Sequence, residues 1–123
     1  MEGIIYKELS YVINGILFKV QNKLGTKFRE ENYVRAVCAL LRKKGIPFAL
    51  KVPFIVTFEG EFMGKFRADM IVDKKILIEF KTVPFLNSEH KQQIIRYLKG
   101  LNIRLGLLVN FRVYPLQIIR IPN

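Results

Sequence analysis

Asp69, Glu79 and Lys81 are the residues of this 123-residue chain whose types and spacing could do chemistry together. They stand in the stretch RADMIVDKKILIEFK, Arg67 to Lys81, which reads as two apolar-rich strands, 66–72 and 76–81, joined by Asp73, Lys74 and Lys75. Side chains on a strand alternate faces. Leu77, Glu79 and Lys81 therefore share one face of the second strand, and Ile76, Ile78 and Phe80 the other. On the first strand Arg67, Asp69 and Ile71 share a face, and Phe66, Ala68, Met70 and Val72 the opposite one. A three-residue loop puts Val72 opposite Ile76, Asp69 opposite Glu79 and Arg67 opposite Lys81. A two-residue loop would slip the register and separate the two acids. Opposed side chains have Cβ atoms roughly 4.5–5.5 Å apart, and like charges there are destabilising. Two adjacent carboxylates can share a proton, with one pKa raised. They can also hold a hard divalent cation such as Mg²⁺, which takes oxygen ligands and sits on one or two carboxylates with several waters. Lys81 would then place an ammonium where it can orient a water or offset charge on a phosphate. The plain alternative is that the three residues line the wet face of an antiparallel hairpin. Both readings stand at this stage.

The surrounding elements follow from periodicity. Leu9, Ile13, Ile16, Leu17, Val20 and Leu24 recur at helical spacing and predict a helix over 8–22. Gly25 breaks it, and Thr26 is the expected cap of a second helix over 28–44. That helix has its stripe at Tyr33, Val34, Val37, Cys38, Leu40 and Leu41, and ends in Arg42, Lys43, Lys44, Gly45 and Pro47. Glu30 in its first turn would complement the helix dipole. It also shares a face with Tyr33 and Val37, so it can equally look inward. A strand over 50–58, a turn at Glu59-Gly60 and a strand from Glu61 complete a three-stranded meander, with Pro53 marking an edge. Ser88 is the expected cap of a helix to Lys99, stopped by Gly100, in which Gln93 and Tyr97 lie four apart on one face. Strands over 104–110 and 116–121 follow, the first parallel to 76–81 through the helical crossover. The result is a single domain over residues 1–123, of α+β class, with a mixed central sheet and helices on its faces.

Composition narrows the partners. Half the residues are hydrophobic, while 21 Lys and Arg against 10 Asp and Glu give a net charge of +11. That favours nucleic acid ahead of an anionic membrane surface. No apolar run approaches the roughly 18 residues of a membrane span, and the first residues carry no secretory pattern. A cytoplasmic protein is expected. The one cysteine, Cys38, permits neither an internal disulfide nor a cysteine metal cluster and reads as core packing. Ser10, Ser88 and Cys38 lack the partners of a nucleophile, no Gly-rich phosphate loop is present, and the lone His90, one turn before Gln93, reads as a surface or helix-start residue that could also contact phosphate.

Asp69 followed by Glu79-Phe80-Lys81 resembles the D…(D/E)-x-K signature of the PD-(D/E)XK nuclease superfamily. The helix–β–β–β–helix–β order is similar to that superfamily's restriction-endonuclease-like, α/β sandwich-like core. Gln93-Ile94-Ile95-Arg96-Tyr97 resembles the Q-x-x-x-Y motif of its RecB-like branch. Nearly the whole chain also resembles the small GxxExxY protein family. The matching pieces are Leu24-Gly25, Phe28, Glu30, Tyr33, Gly45-Ile46-Pro47-Phe48, Arg67-Ala68-Asp69, Glu79-Phe80-Lys81, His90, Gln93, Tyr97 and the run from Leu105 to Phe111. Lys27 stands where that family's motif has its glycine. The resemblance implies a metal-dependent nuclease hydrolysing phosphodiester bonds, with DNA as the first expectation. Asp69 and Glu79 would hold Mg²⁺ or Mn²⁺, joined by the main-chain carbonyl of Phe80. Lys81 would orient water or stabilise the transition state. Glu30 would be an outer ligand or water holder, and Gln93 and Tyr97 would position substrate, or else form a hydrogen-bonded pair that braces the helix on the sheet. Arg67, on the face of Asp69, could contact phosphate or pair with an acid, and Lys65, Lys91 and Arg96 are further candidate backbone contacts. The alternative is a non-catalytic nucleic-acid-binding or assembly module of the same fold. A homodimer or a protein partner could complete a substrate channel.

Overall fold

The computed structural model describes residues 4–123. Apolar residues recurring every three to four positions form α1 (Lys7–Leu24) and α2 (Glu30–Lys43), which pack together on one face of a sheet. The five strands are β1 (Phe48–Phe58), β2 (Glu61–Val72), β3 (Ile76–Lys81), β4 (Leu105–Asn110) and β5 (Gln117–Pro122), side by side in chain order. β1 to β3 form the antiparallel meander, β4 runs parallel to β3, and β5 returns antiparallel. The parallel pair is joined by α3 (Ser88–Leu101), which covers the opposite face. β3 and β4 are apolar almost throughout because both their faces are covered. β1 is an edge strand, which is why Pro53 is tolerated in it. Glu59 and Gly60 both take positive φ, the conformation of a two-residue hairpin turn.

Three expectations are corrected. The second helix starts at Glu30 rather than Phe28, and Thr26 is not its cap. Arg29 stands at the cap position, its N–H donating to Asn32 Oδ1 at 3.0 Å. Residues 25–29 form instead a loop held by the Tyr33 hydroxyl, which donates to Gly25 O at 2.6 Å and accepts from Phe28 N at 3.3 Å. The third helix is capped by Asn87, whose Oδ1 accepts from His90 N while His90 Nδ1 accepts from Asn87 N, both at 3.1 Å. Ser88 is then its first helical residue. Gly100 does not end the helix, which continues to a left-handed Asn102. A Cβ at Gly100 would fall 2.6 Å from Phe54 Cε2, so glycine here lets the helix lie close to β1.

The third correction concerns faces. Met70 and Val72 pack toward α1 and α2, but Phe66 and Ala68 pack toward α3. Their partners on β1 change sides with them, Phe48 lying with the first group and Val52 and Phe54 with the second. The switch falls at Lys51 and Asp69, where Lys51 takes a φ of 50°. The hairpin thus rolls over at Asp69, although the alternation in its sequence is unbroken.

The fit of α3 on the sheet gives a first prediction. A Cβ at Gly106 of β4 would lie 2.8 Å from Ile94 Cδ1 and 3.2 Å from Leu98 Cδ1. Gly106→Val overpacks this interface and is expected to lower stability by about 1–3 kcal/mol, read from the urea midpoint.

Candidate active site

The register of the central hairpin is the one a three-residue loop requires: Val72 pairs with Ile76, Ile71 with Leu77 and Met70 with Ile78. The backbone ladder ends there. At the next step Asp69 N donates to Glu79 Oε2 at 2.8 Å, and Phe80 N donates to Asp69 Oδ2 at 2.9 Å. Each carboxylate thus takes an amide of the other strand and wedges the strands apart. The expected pairing of Arg67 with Lys81 is therefore not made. Arg67 pairs with Pro53 on one side, and Lys81 with Asn110 on the other.

The wet-face reading fails at Glu79, which is only 2% exposed. Its carboxyl is pushed up from 4.5 to about 8, first by burial and then by the neighbouring Asp69, with Glu30 adding repulsion. The Asp69 amide and Lys81 oppose the rise. Asp69 is raised by burial, against the Phe80 amide, Lys81 and Arg67. Glu30 is raised by burial and by Asp69, with Lys81 opposing. The three acids and Lys81 thus feel one another, and Glu30 from α2 belongs to the same cluster. Its inward aim is set one turn on by Tyr33, a fully buried residue stacked on Phe111 with ring centroids 4.4 Å apart.

From the α3 side, Lys81 Nζ donates to Gln93 Oε1 at 2.9 Å, and Gln93 Nε2 donates to the Tyr97 hydroxyl at 3.5 Å. Tyr97 is held against Phe54 and Phe66, at 5.3 and 5.8 Å between centroids. Its phenol is raised by burial and by Glu79 and Asp69. Glu30, Asp69, Glu79, Lys81, Gln93 and Tyr97 are therefore brought together. Arg67 is exposed beside them and acts on Asp69 through its charge. Arg96 is turned to Glu89 at 3.5 Å, and His90 is occupied by the helix cap.

Some cations beside the cluster were not legible as site neighbours in the sequence. A groove of about 470 Å³ includes Arg29, Glu30, Arg35, Lys51 and Asp69 in its wall. Arg29 flanks Glu30 in the chain, a signal that adjacency offered. Lys51 carries no such signal, because β1 reaches Asp69 only through the hairpin.

The donor set suits a hard dication. Two carboxylates lie side by side, and among the described residues neither Asp69 Oδ1 nor Glu79 Oε1 takes a hydrogen bond from a backbone or side-chain donor. Burial without a full counter-charge is what holds Glu79 so far above its ordinary range. No group of three or more His, Cys, Asp or Glu side chains is arranged around a metal among the described residues. The fit is therefore to an ion that accepts one or two carboxylates and keeps several waters, as Mg²⁺ does.

Residues 7–121 match the family model described as the PD-(D/E)XK nuclease superfamily. Among solved structures, the chain is similar to a crystal structure of SSO0001, with a TM-score of 0.56 and 23% identity. The similarity covers 96% of this chain and 57% of that one, and at this identity it speaks for the fold. No curated protein matches the sequence. Among the described residues no helix is long and apolar enough to cross a membrane.

Proposed function

Because the chain belongs to the PD-(D/E)XK nuclease superfamily, we propose that it is a nuclease hydrolysing phosphodiester bonds, with DNA the first candidate substrate and Mg²⁺ or Mn²⁺ the cofactor. The observation that carries this reading is the interlocked Asp69–Glu79 pair, buried at Glu79 and faced by the Lys81 ammonium. Nucleases of this superfamily generally use divalent metals. Asp69 and Glu79 are the residues that would hold such an ion, whose chemistry when bound would be to lower the pKa of water and offset phosphate charge.

The chain's own groups do the rest. Lys81, fixed by Gln93, presents its ammonium to the negative charge that grows on the phosphate. Glu30, whose pKa is raised by burial and by Asp69, holds the attacking water and receives its proton in this reading. Tyr97 fixes Gln93, and exposed Arg67 contacts the backbone of the substrate. Within the superfamily, the match of Glu30 and Tyr33 to the GxxExxY motif supports a place among those small proteins, with Lys27 as this chain's departure from it.

The test is cleavage of labelled single- and double-stranded DNA and RNA by purified protein, with Mg²⁺, with Mn²⁺ and with chelator. Metal-dependent cutting that Asp69→Ala reduces at least a hundredfold is the expected result, since the variant removes one of two ligand carboxylates. Binding by wild type and variant alike, with no cutting under any condition, would instead establish a non-catalytic nucleic-acid-binding module.

A further inference from the structure

A second groove, of about 370 Å³, shares Arg29 and Glu30 with the Lys51 groove. Lys27, Phe28 and Arg112 contribute to its wall, and all three are exposed. Glu30 is the one acid among its lining residues. None of Lys27, Arg29 or Arg112 forms an ion pair among the described residues. The groove is thus a run of uncompensated positive charge that ends at the acid cluster.

Its aromatic wall is unusual. Phe28 is 50% exposed, yet it is not loosely held. Its N–H donates to the Tyr33 hydroxyl at 3.3 Å, and its ring meets Tyr33 edge-on with centroids 6.4 Å apart. The part of the wall formed by Thr82 and Arg112 is equally fixed. Phe111 N donates to Lys81 O at 2.9 Å, and Asn110 Oδ1 accepts from Val83 N and Arg112 N at 3.1 and 3.2 Å. Thr82 and Arg112 are the chain neighbours of that bond, so the groove borders the Lys81 backbone directly.

We propose that this groove takes a single unpaired nucleic-acid strand, a base stacking on Phe28 and the phosphates lying on Lys27 and Arg112 as the strand runs toward Glu30. An aromatic face beside cations binds an unpaired base by stacking, which a base inside a duplex cannot offer. Phosphate contacts by Lys and Arg supply the remaining, sequence-blind affinity. The inference rests on the nuclease reading for where the strand leads, but it makes a separate claim about how the strand is held.

The experiment is fluorescence anisotropy of the full chain in chelator, where no cutting occurs. The probes are a short labelled DNA strand, the same sequence as RNA, and the blunt DNA duplex. One of the single strands is expected to bind about tenfold tighter than the duplex. Phe28→Ala should weaken that strand roughly fivefold or more, while Phe28→Tyr restores it. Lys27→Ala with Arg112→Ala should flatten the salt dependence by about 1.4 in the log–log slope, and Lys74→Ala should not. Duplex bound as tightly as both single strands, or strand binding unmoved by Phe28→Ala in a variant that melts like wild type, overturns the proposal. If cutting is never seen but this binding pattern holds, the nuclease reading fails and the groove stands. If cutting is seen and Phe28→Ala changes nothing, only the groove assignment falls.

Discussion

Metal-free Glu79→Gln protein should melt well above wild type at pH 8 and close to it at pH 4. In the wild type the Glu79 carboxyl titrates near 8 when folded, against 4.5 as its ordinary value, because it is buried beside Asp69 and Glu30. Between these two pH values the folded state binds the Glu79 proton and the unfolded state has released it. Stability therefore falls as pH rises through this window, and is not reduced by Glu79 below it. At 1.36 kcal/mol per unit, the loss at pH 8 is on the order of a few kcal/mol. Glutamine is neutral at both ends and keeps an oxygen for the Asp69 amide, so its curve should be flatter. Glu30 and Asp69 are raised in the same direction and give the variant a residual slope.

The same comparison reports on the ion without any assay of cleavage. A Mg²⁺ ion held by these carboxylates in the folded state alone would stabilise it by RT ln(1 + [L]/Kd). It should raise the melting temperature of wild type at pH 8 far more than at pH 4, where protons compete for the carboxylates, and should raise that of Glu79→Gln little. Parallel pH curves for wild type and variant would mean that Glu79 is not the strained acid described here. A Mg²⁺ effect equal in both would place the ion elsewhere.

The parts of this site that were legible in the sequence are those fixed by short-range geometry. The Asp69–Glu79 neighbourhood follows from a three-residue loop and a period of two, and Val72 does pair with Ile76. The parallel placement of β3 and β4 follows from strand, helix, strand. Hidden from the sequence was the rolling of the hairpin at Lys51, since a left-handed lysine leaves no mark in the alternation of side chains. Asn87 and Ser88 are both good caps, and only the pair of bonds with His90 decides between them. Gly100 reads as a helix stop until the Phe54 ring is seen against it. Glu30 was ambiguous for a related reason: helix periodicity gives its face, but only the stacking of Tyr33 on Phe111 turns that face toward Asp69. The interlock itself, with two carboxylates replacing ladder bonds, is a tertiary event with no local signature.

Lys81→Ala should lower the turnover of metal-dependent cleavage by about 10²–10³, the loss seen when a preorganised charge-stabilising donor is removed. The strength of the expectation comes from how firmly the ammonium is placed. Lys81 is half-buried and bonded to Gln93, and Gln93 is tied to a Tyr97 that is only 8% exposed. A flexible four-carbon side chain is thereby held in one position before substrate arrives. Lys81→Arg should rescue poorly, because a planar guanidinium cannot reproduce a point charge seated on one amide oxygen. Gln93→Leu leaves the charge but frees it, so turnover should drop about tenfold with KM nearly unchanged. Lys81 also lowers the pKa values of Glu30, Asp69 and Glu79. Its removal should therefore carry a second signature, an acid limb of the pH–rate profile displaced to higher pH, because the acids then ionise later. A variant that merely packed badly would lose activity at every pH alike. Lys81→Ala that retains turnover within a few-fold of wild type, with an unmoved acid limb, would show that the ammonium neither stabilises the transition state nor steadies the carboxylates.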